Sequence, residues 1–320
     1  MDDIDNREVI IQVDHLTKDY GYGRGVFDVS IKVHKGECYG YLGPDGAGKS
    51  TTIRHIMGFA KPTQGKITIF GKESFNHTEE LLGKVGYLPG EPSLPAGLDG
   101  MGFLRMMQDM RGERNEERLN YLLKLFALDP NVDVKSMSLG EKRKLAVVAA
   151  FMNDPDVLIL DEPTSGLDPV MQQVFISFIL AEKKRGKTIL LSSHIFSEVD
   201  ATCDTISIIK DGKHVSTFKA KELKNRQLVT FIFYFESKEE LERFVNSKHK
   251  NAKLVEVNDK RKFVAIEFDH HLYKDVMESL KGFRVTGFEE KPFTLQDYFM
   301  SFYKEEKTFD GLEGVKGNKK

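Results

Sequence analysis

Gly43-Pro44-Asp45-Gly46-Ala47-Gly48-Lys49-Ser50 fits the pattern G-x-x-x-x-G-K-[ST]. Each position in that spacing has a chemical use. Glycines let a backbone loop close round phosphate oxygens with its N–H groups turned inward. A helix opening near Lys49 would add the positive end of its dipole. Lys49 is read as a mobile cation able to reach β- and γ-phosphates, and the Ser50 hydroxyl as a ligand for Mg²⁺. Thr51, the next residue of the helix, is counted with the phosphate-binding set.

A second constellation stands more than a hundred residues on. Val157-Leu158-Ile159-Leu160-Asp161-Glu162 reads as an apolar strand ending in two carboxylates. In parallel sheets ligands gather at the carboxyl ends of the strands. Asp161 is placed to hold Mg²⁺ through its water shell. Glu162, one residue further and expected to point the other way, can polarise a water for attack on a γ-phosphate. Alone, the pair would be a polar strand end; coupled to the phosphate loop it becomes catalytic.

Both motifs need rigid elements to hold them. Residues 9–72 read as strands and turns: Val9–Val13, Val26–Val33, the short apolar Cys38–Leu42 leading into the phosphate loop, and Lys66–Phe70 after the turn Lys61-Pro62-Thr63-Gln64-Gly65. Residues 98–152 read as helices. Phe103, Met106, Met107 and Met110 share one helical face, which core packing is expected to cover for the most part, and a second helix spans 114–127. From 156 strands and helices alternate: strand Val157–Leu160, helix 170–184, strand Thr188–Ser192, helix 195–201, then Ile206–Ile209 and His214–Phe218 flanking the turn Asp211-Gly212. Alternation predicts a mainly parallel sheet with helices on its faces. A Lys- and Asn-rich stretch at 219–227 marks a boundary, placing one domain at 1–222, with a helical subdomain at about 92–152, and a second at 223–305. The second reads βαββαβ, a ferredoxin-like order, with Ser237 capping its first helix and a further helix at 294–304. His270 and His271, adjacent on an expected helix, should diverge by ~100° and make a poor metal pair. The segment 306–320 is expected to be disordered.

Composition narrows the class. The chain has 320 residues, with 47 Lys plus Arg against 49 Asp plus Glu, so the formal charge is −2 and binding of a nucleic-acid backbone is not expected. No apolar run approaches the ~20 residues of a spanning helix. The N-terminus is acidic and shows no signal-peptide pattern, so the chain is expected to stay in the compartment where it is made. Cys38 and Cys203 are the sole cysteines and are read as two reduced thiols.

Over residues 9–220 the ordered motifs resemble the ATP-binding subunits of ABC transporters. Ser165-Gly166-Leu167-Asp168 looks like that family's D-loop, Ser193-His194 its switch histidine, and Met137-Ser138-Leu139-Gly140-Glu141 its signature motif. Tyr20 lies where the family stacks an aromatic ring on adenine. Two departures stand out. The signature carries Leu139 and Glu141 where Gly and Gln are usual, although Ser138 and Gly140 remain for a γ-phosphate contact. The Q-loop glutamine position is Gly90, leaving Glu91 as the substitute metal-side group.

The resemblance implies a fold and a cycle. The fold is an α/β P-loop NTPase core of the ABC type, with an antiparallel β subdomain and a helical subdomain, to which the small α+β domain is added. ATP and Mg²⁺ would lie between the phosphate loop of one subunit and the signature of another, so a second ATP-binding subunit is needed. Membrane-spanning permease subunits would be separate chains, and this one would work at the cytoplasmic face of the membrane. The C-terminal extension, with Pro292-Phe293-Thr294-Leu295-Gln296-Asp297-Tyr298-Phe299, resembles ATPases that power drug, antimicrobial-peptide or lipid exporters. Two readings stay open beside export: a soluble ABC ATPase, and a catalytically weak regulatory subunit of a heterodimer.

Overall fold

Cys38–Leu42 and Val157–Asp161 are buried at every position. Only strands covered on both faces of a sheet can be so. In the computed structural model, which describes residues 4–112, 114–224, 228–247 and 252–304, they lie in a ten-stranded sheet. Its strands are β1 (Val9–Asp19), β2 (Gly25–His34), β3 (Cys38–Leu42), β4 (Gln64–Ile69), β5 (Lys72–Glu73), β6 (Val85–Leu88), β7 (Val157–Asp161), β8 (Thr188–Ser193), β9 (Thr205–Lys210) and β10 (Lys213–Lys219). The order is β5-β4-β1-β2-β10-β9-β3-β8-β7-β6. The run β9-β3-β8-β7-β6 is parallel, and β1 pairs antiparallel with β2 and β4. The expected P-loop core with an antiparallel subdomain is therefore the observed fold.

Register fixes the site. Leu42 pairs with Ser193 on β8, and Ser192 pairs with Asp161 on β7. The phosphate loop, Ser193-His194 and Asp161-Glu162 thus leave three neighbouring strands side by side at their carboxyl ends, where α/β sheets hold ligands.

The helices of this unit are α1 (Lys49–Ile56), α2 (Thr78–Lys84), α3 (Gly100–Arg111), α4 (Glu116–Leu125), α5 (Leu139–Phe151), α6 (Pro169–Lys184) and α7 (Phe196–Thr202). The short α8 (Ala220–Lys224) follows β10. On α3 the buried side is Gly100, Phe103, Leu104 and Gln108, whereas Met110 is 75% exposed. The methionine face is thus only partly the packed one. A polar Gln108 hides the true stripe in the sequence; its amide oxygen accepts a bond from Arg105 at 3.0 Å.

Contacts divide the chain after Ala220, two residues before the expected boundary. The second unit holds β11 (Leu228–Phe235), α9 (Lys238–Val245), β12 (Ala252–Asn258), β13 (Phe263–Asp269), α10 (Tyr273–Ser279), β14 (Val285–Lys291) and α11 (Leu295–Lys304). Its sheet order β12-β13-β11-β14 is antiparallel throughout, and Phe231, Phe233, Leu241, Phe244, Ile266 and Phe268 fill its core. Ser237 Oγ caps α9 by accepting from Glu240 N at 3.3 Å. His270 and His271 sit on a 3₁₀ turn, His270–Leu272, not inside the α-helix. Their rings are 3.8 Å apart, and a ligand atom of each lies within 4.8 Å of the other and of an Asp269 oxygen. The expected separation is overturned at the side chains and not at the backbone: a 3₁₀ turn still sets adjacent residues ~120° apart, so it is the side-chain torsions that bring the rings together. The expectation for 306–320 lies outside the described residues.

Candidate functional site

The phosphate loop runs from β3 into α1. Gly48 caps the helix with a left-handed φ of 105°, and a Cβ there would meet Val26 at 2.7 Å. Gly43 is equally cramped, its Cβ position lying 2.5 Å from Ile209 O. No side chain caps α1, so the N–H groups of its first turn remain for an anion.

Above this turn opens a cavity of about 390 Å³. Tyr20, Arg24, Asp45, Gly46, Gly48, Lys49, Ser50, Thr51 and Glu162 line it, with the turn Asp211-Gly212 at its edge. Tyr20 is half exposed, with the Lys18 ammonium 5.7 Å from its ring centre. Gly43 and Ala47 are buried in the loop, and Pro44 bears the carbonyl that accepts from Ala47 N at 3.2 Å.

Lys49 is not the free cation the sequence suggests. It is 5% exposed, and its Nζ donates to Gly43 O at 2.7 Å and Pro44 O at 3.0 Å. It also pairs with Glu162 Oε1 at 2.9 Å. The other Glu162 oxygen, Oε2, lies 2.7 Å from His194 Nδ1. Asp45 Oδ1 is 3.8 Å from the same histidine nitrogen. A single carboxylate thus bridges the lysine and the histidine.

Glu162 reaches them by an unusual backbone. Its φ is +48°, a left-handed conformation that costs a β-carbon residue roughly 1–2 kcal/mol. Its N–H is held by Ser192 O and Ser192 Oγ, each at 3.1 Å. Strand alternation therefore does not aim this side chain; the turn after β7 does.

Asp161 is buried, and its Oδ1 accepts from Ser192 Oγ at 2.5 Å. Its Oδ2 and Ser50 Oγ both face Gly90: a Cβ there would lie 3.0 Å from the first and 3.8 Å from the second. A hydroxyl and a carboxylate oxygen converging on one point are the hard donors Mg²⁺ takes, so the residues fit that ion. Glu91 is exposed and outside the cavity lining, and it is the backbone of its neighbour Gly90 that borders the two donors.

The remaining candidates lie elsewhere. Ser138 caps α5, accepting from Glu141 N at 3.2 Å and donating to Glu141 Oε2 at 2.7 Å. The Ser138 hydroxyl and the Ser138 N–H, both donating to Glu141 Oε2, hold that carboxyl below its usual range. Asp168 caps α6, accepting from Val170 N and Met171 N at 3.0 Å. Neither these two residues nor Gly140 lines the cavity.

Sequence reasoning missed Arg24 and Asp211-Gly212. The latter was legible only as a hairpin turn; Gly212 N donates to Ala47 O at 3.0 Å and so reaches the phosphate loop from 165 positions away. It also missed Glu198, a buried carboxyl that accepts from Ser193 Oγ at 2.5 Å. Burial pushes Glu198 up to about 7, against the pull of hydrogen bonds from Ser193 and Thr164. In the unfolded chain this group ionises near its ordinary 4.5, so folding favours the protonated form. The stabilisation is whole below that value and is lost as pH rises through about 7. Glu198→Gln should flatten this slope. Its unfolding temperature should exceed the parent's at pH 8, by a stability difference on the order of 3 kcal/mol, and match it at pH 4. Equal shifts at both pH values would contradict the assignment.

A phosphate loop at the carboxyl edge of a parallel sheet, with a strand-end Asp-Glu pair beside it, defines a P-loop nucleotide-binding protein. The family profile described as ABC transporter matches residues 26–165. The bacitracin transport ATP-binding protein of Bacillus licheniformis is 37% identical over 223 residues, 68% of this chain and 72% of that protein. The Nod factor export ATP-binding protein I of Cupriavidus pinatubonensis is 33% identical over 224 residues, 68% of this chain and 69% of that one. A solved ATP-binding subunit of an ABC transporter superposes with a TM-score of 0.62 at 31% identity, covering 67% of this chain and 92% of its own. The chain belongs to the ABC transporter family, as an ATP-binding subunit.

Proposed function

We propose that the chain hydrolyses ATP with Mg²⁺, and that two such subunits, alike or different, close head to tail over the nucleotides. They would work at the cytoplasmic face of the membrane, on separate permease subunits that export a peptide antibiotic, drug or lipid-like compound. The observation that carries this reading is the Glu162 carboxylate, held between Lys49 and His194 at the mouth of the phosphate loop. Names of relatives that transport bacitracin or export Nod factor support the direction of transport. Among the described residues no helix is long and apolar enough to cross a membrane, which supports separate permeases.

The steps follow from the contacts. Lys49 exchanges the Gly43 and Pro44 carbonyls and the Glu162 carboxylate for phosphate oxygens. That exchange leaves Glu162 Oε1 free to accept a proton. The water oxygen attacks the γ-phosphorus, its proton passes to Glu162, and the bond to the β-phosphate oxygen breaks. His194 keeps the carboxylate oriented through Oε2. Ser50 and Asp161 would hold Mg²⁺, which neutralises charge on the phosphates. Tyr20 would stack on adenine. Ser138 and Gly140, absent from this cavity, would complete the γ-phosphate site of a second subunit, with Asp168 ordering the start of α6 nearby. The C-terminal unit would serve coupling and assembly, since these groups all lie between Tyr20 and His194.

Two measurements test the reading. The purified chain should turn over ATP only with Mg²⁺, and affinity capture from detergent-solubilised membranes should bring down a polytopic protein. Turnover without a membrane partner would favour a soluble ATPase. A partner without turnover would favour a regulatory subunit.

A further inference from the structure

Arg143 has no part in the chemistry above, yet it is 3% exposed and stands one turn into α5, the helix that Ser138 caps. Its guanidinium faces three backbone carbonyls from two loops. Nε donates to Ser165 O at 3.0 Å, Nη1 to Pro89 O at 2.8 Å, and Nη2 to Gly90 O. Each loop leads into the site. Ser165 N donates to Glu162 O at 3.1 Å, so the first loop carries the carboxylate. The second contains Gly90, whose Cβ position lies 3.0 Å from Asp161 Oδ2 and 3.8 Å from Ser50 Oγ.

A buried cation is costly unless its donors are satisfied, and carbonyls do that less well than a carboxylate. Among the described residues Arg143 forms no close ion pair; Asp161, Glu162 and Glu91 act on it only from further off. What its planar fork gains is geometry. Three fixed N–H directions hold three carbonyls in one arrangement, which a flexible ammonium does not reproduce. Gly90 has no side chain with which to hold its own loop.

We propose that Arg143 is a positioning residue: from the helix of Ser138 it holds the Gly90 backbone against Ser50 and Asp161, and the Ser165 turn under Glu162, setting the width of the metal side of the site. The inference rests on the reading of Ser50 and Asp161 as the Mg²⁺ pair. It makes the Gly90 loop, the helix α5 and the turn after β7 one mechanical unit joined at a single guanidinium. A change in the spacing of the two oxygen donors is then transmitted to α5 without any glutamine side chain.

The test is binding of a fluorescent N-methylanthraniloyl ATP to the full chain as Mg²⁺ is raised, for the parent, Arg143→Met, Arg143→Lys and Gly90→Ala. Without Mg²⁺ all four should bind within about twofold of one another, because the loop N–H groups and Lys49 are untouched. The Mg²⁺ concentration at half-effect should rise about tenfold for Arg143→Met, the scale of losing hydrogen bonds to a charged group. Arg143→Lys should fall between, since one ammonium recovers part of the carbonyl set. Gly90→Ala, which leaves Arg143 in place, should also raise it, by pressing a methyl on Asp161. Should Arg143→Met not fold, the other two variants decide. A half-effect within twofold of the parent in folded Arg143→Lys and Gly90→Ala overturns the inference. A parent whose nucleotide binding ignores Mg²⁺ overturns the Ser50–Asp161 reading itself, a different result.

Discussion

Glu162→Gln should bind ATP within about threefold of the parent and lose roughly 10²–10⁴-fold in kcat, the range for removing a general base. The amide keeps the shape of the carboxylate, so both neighbours keep a partner. The amide oxygen takes the Lys49 ammonium, now at 2.9 Å from Oε1. The NH₂ group is left facing His194 Nδ1, at 2.7 Å from Oε2, and the imidazole must then present that nitrogen as an acceptor. What the variant lacks is a site for the proton of the attacking water. With hydrolysis stopped and binding intact, the closed pair should accumulate. Gel filtration in ATP and Mg²⁺ should show a dimer that the parent populates only in passing. A variant that turns over at the parent's rate would remove Glu162 from the chemistry and leave it a partner of Lys49 alone.

The contrast between what the sequence disclosed and what it withheld follows the range of the interactions. The phosphate loop is local: eight consecutive residues dictate a loop, a helix start and an anion site, and Cys38–Leu42 is found as expected to the residue. The small domain was equally legible, because strand and helix periods are read within a dozen residues and a boundary error of one or two does not change which face is apolar. The state of Lys49 was not legible. Its partners Gly43 O and Pro44 O are backbone atoms, and backbone atoms carry no letter in a sequence. Arg143 was missed for the same reason, since it reads three carbonyls and no side chain. What aims Glu162 was not legible either, because alternation stops where the strand stops, and a φ of +48° lies one residue past it. Glu91 rests on adjacency along the chain, and what the sequence does not disclose is that the Gly90 backbone itself comes up against Asp161 Oδ2.

Lys49→Ala should fail earlier in the cycle than Glu162→Gln, at binding. The lost group is a cation with charge-assisted hydrogen bonds to phosphate, each worth ~1.5–3 kcal/mol, so the dissociation constant of ATP should rise roughly 10–100-fold. The loop N–H groups and the α1 N-terminus remain and should keep binding from vanishing. A second consequence separates this variant from a simple loss of affinity. In the parent the ammonium sits 5% exposed among Gly43 O, Pro44 O and Glu162 Oε1, and its removal leaves those three acceptors facing a small cavity. Water can enter there, because the site opens into the nucleotide cavity, so the chain should still fold. Among the described residues Glu162 then has His194 as its one close cationic partner, and only when the imidazole is protonated. At saturating ATP, kcat should therefore also fall, since neither phosphate nor carboxylate has the lysine charge. Calorimetric titration of Lys49→Ala beside Glu162→Gln should give weak binding for the first and near-parent binding for the second. Binding by Lys49→Ala within twofold of the parent would mean that the ammonium stays with Glu162 and the loop carbonyls when nucleotide arrives, and the exchange that frees the base would have to be given up.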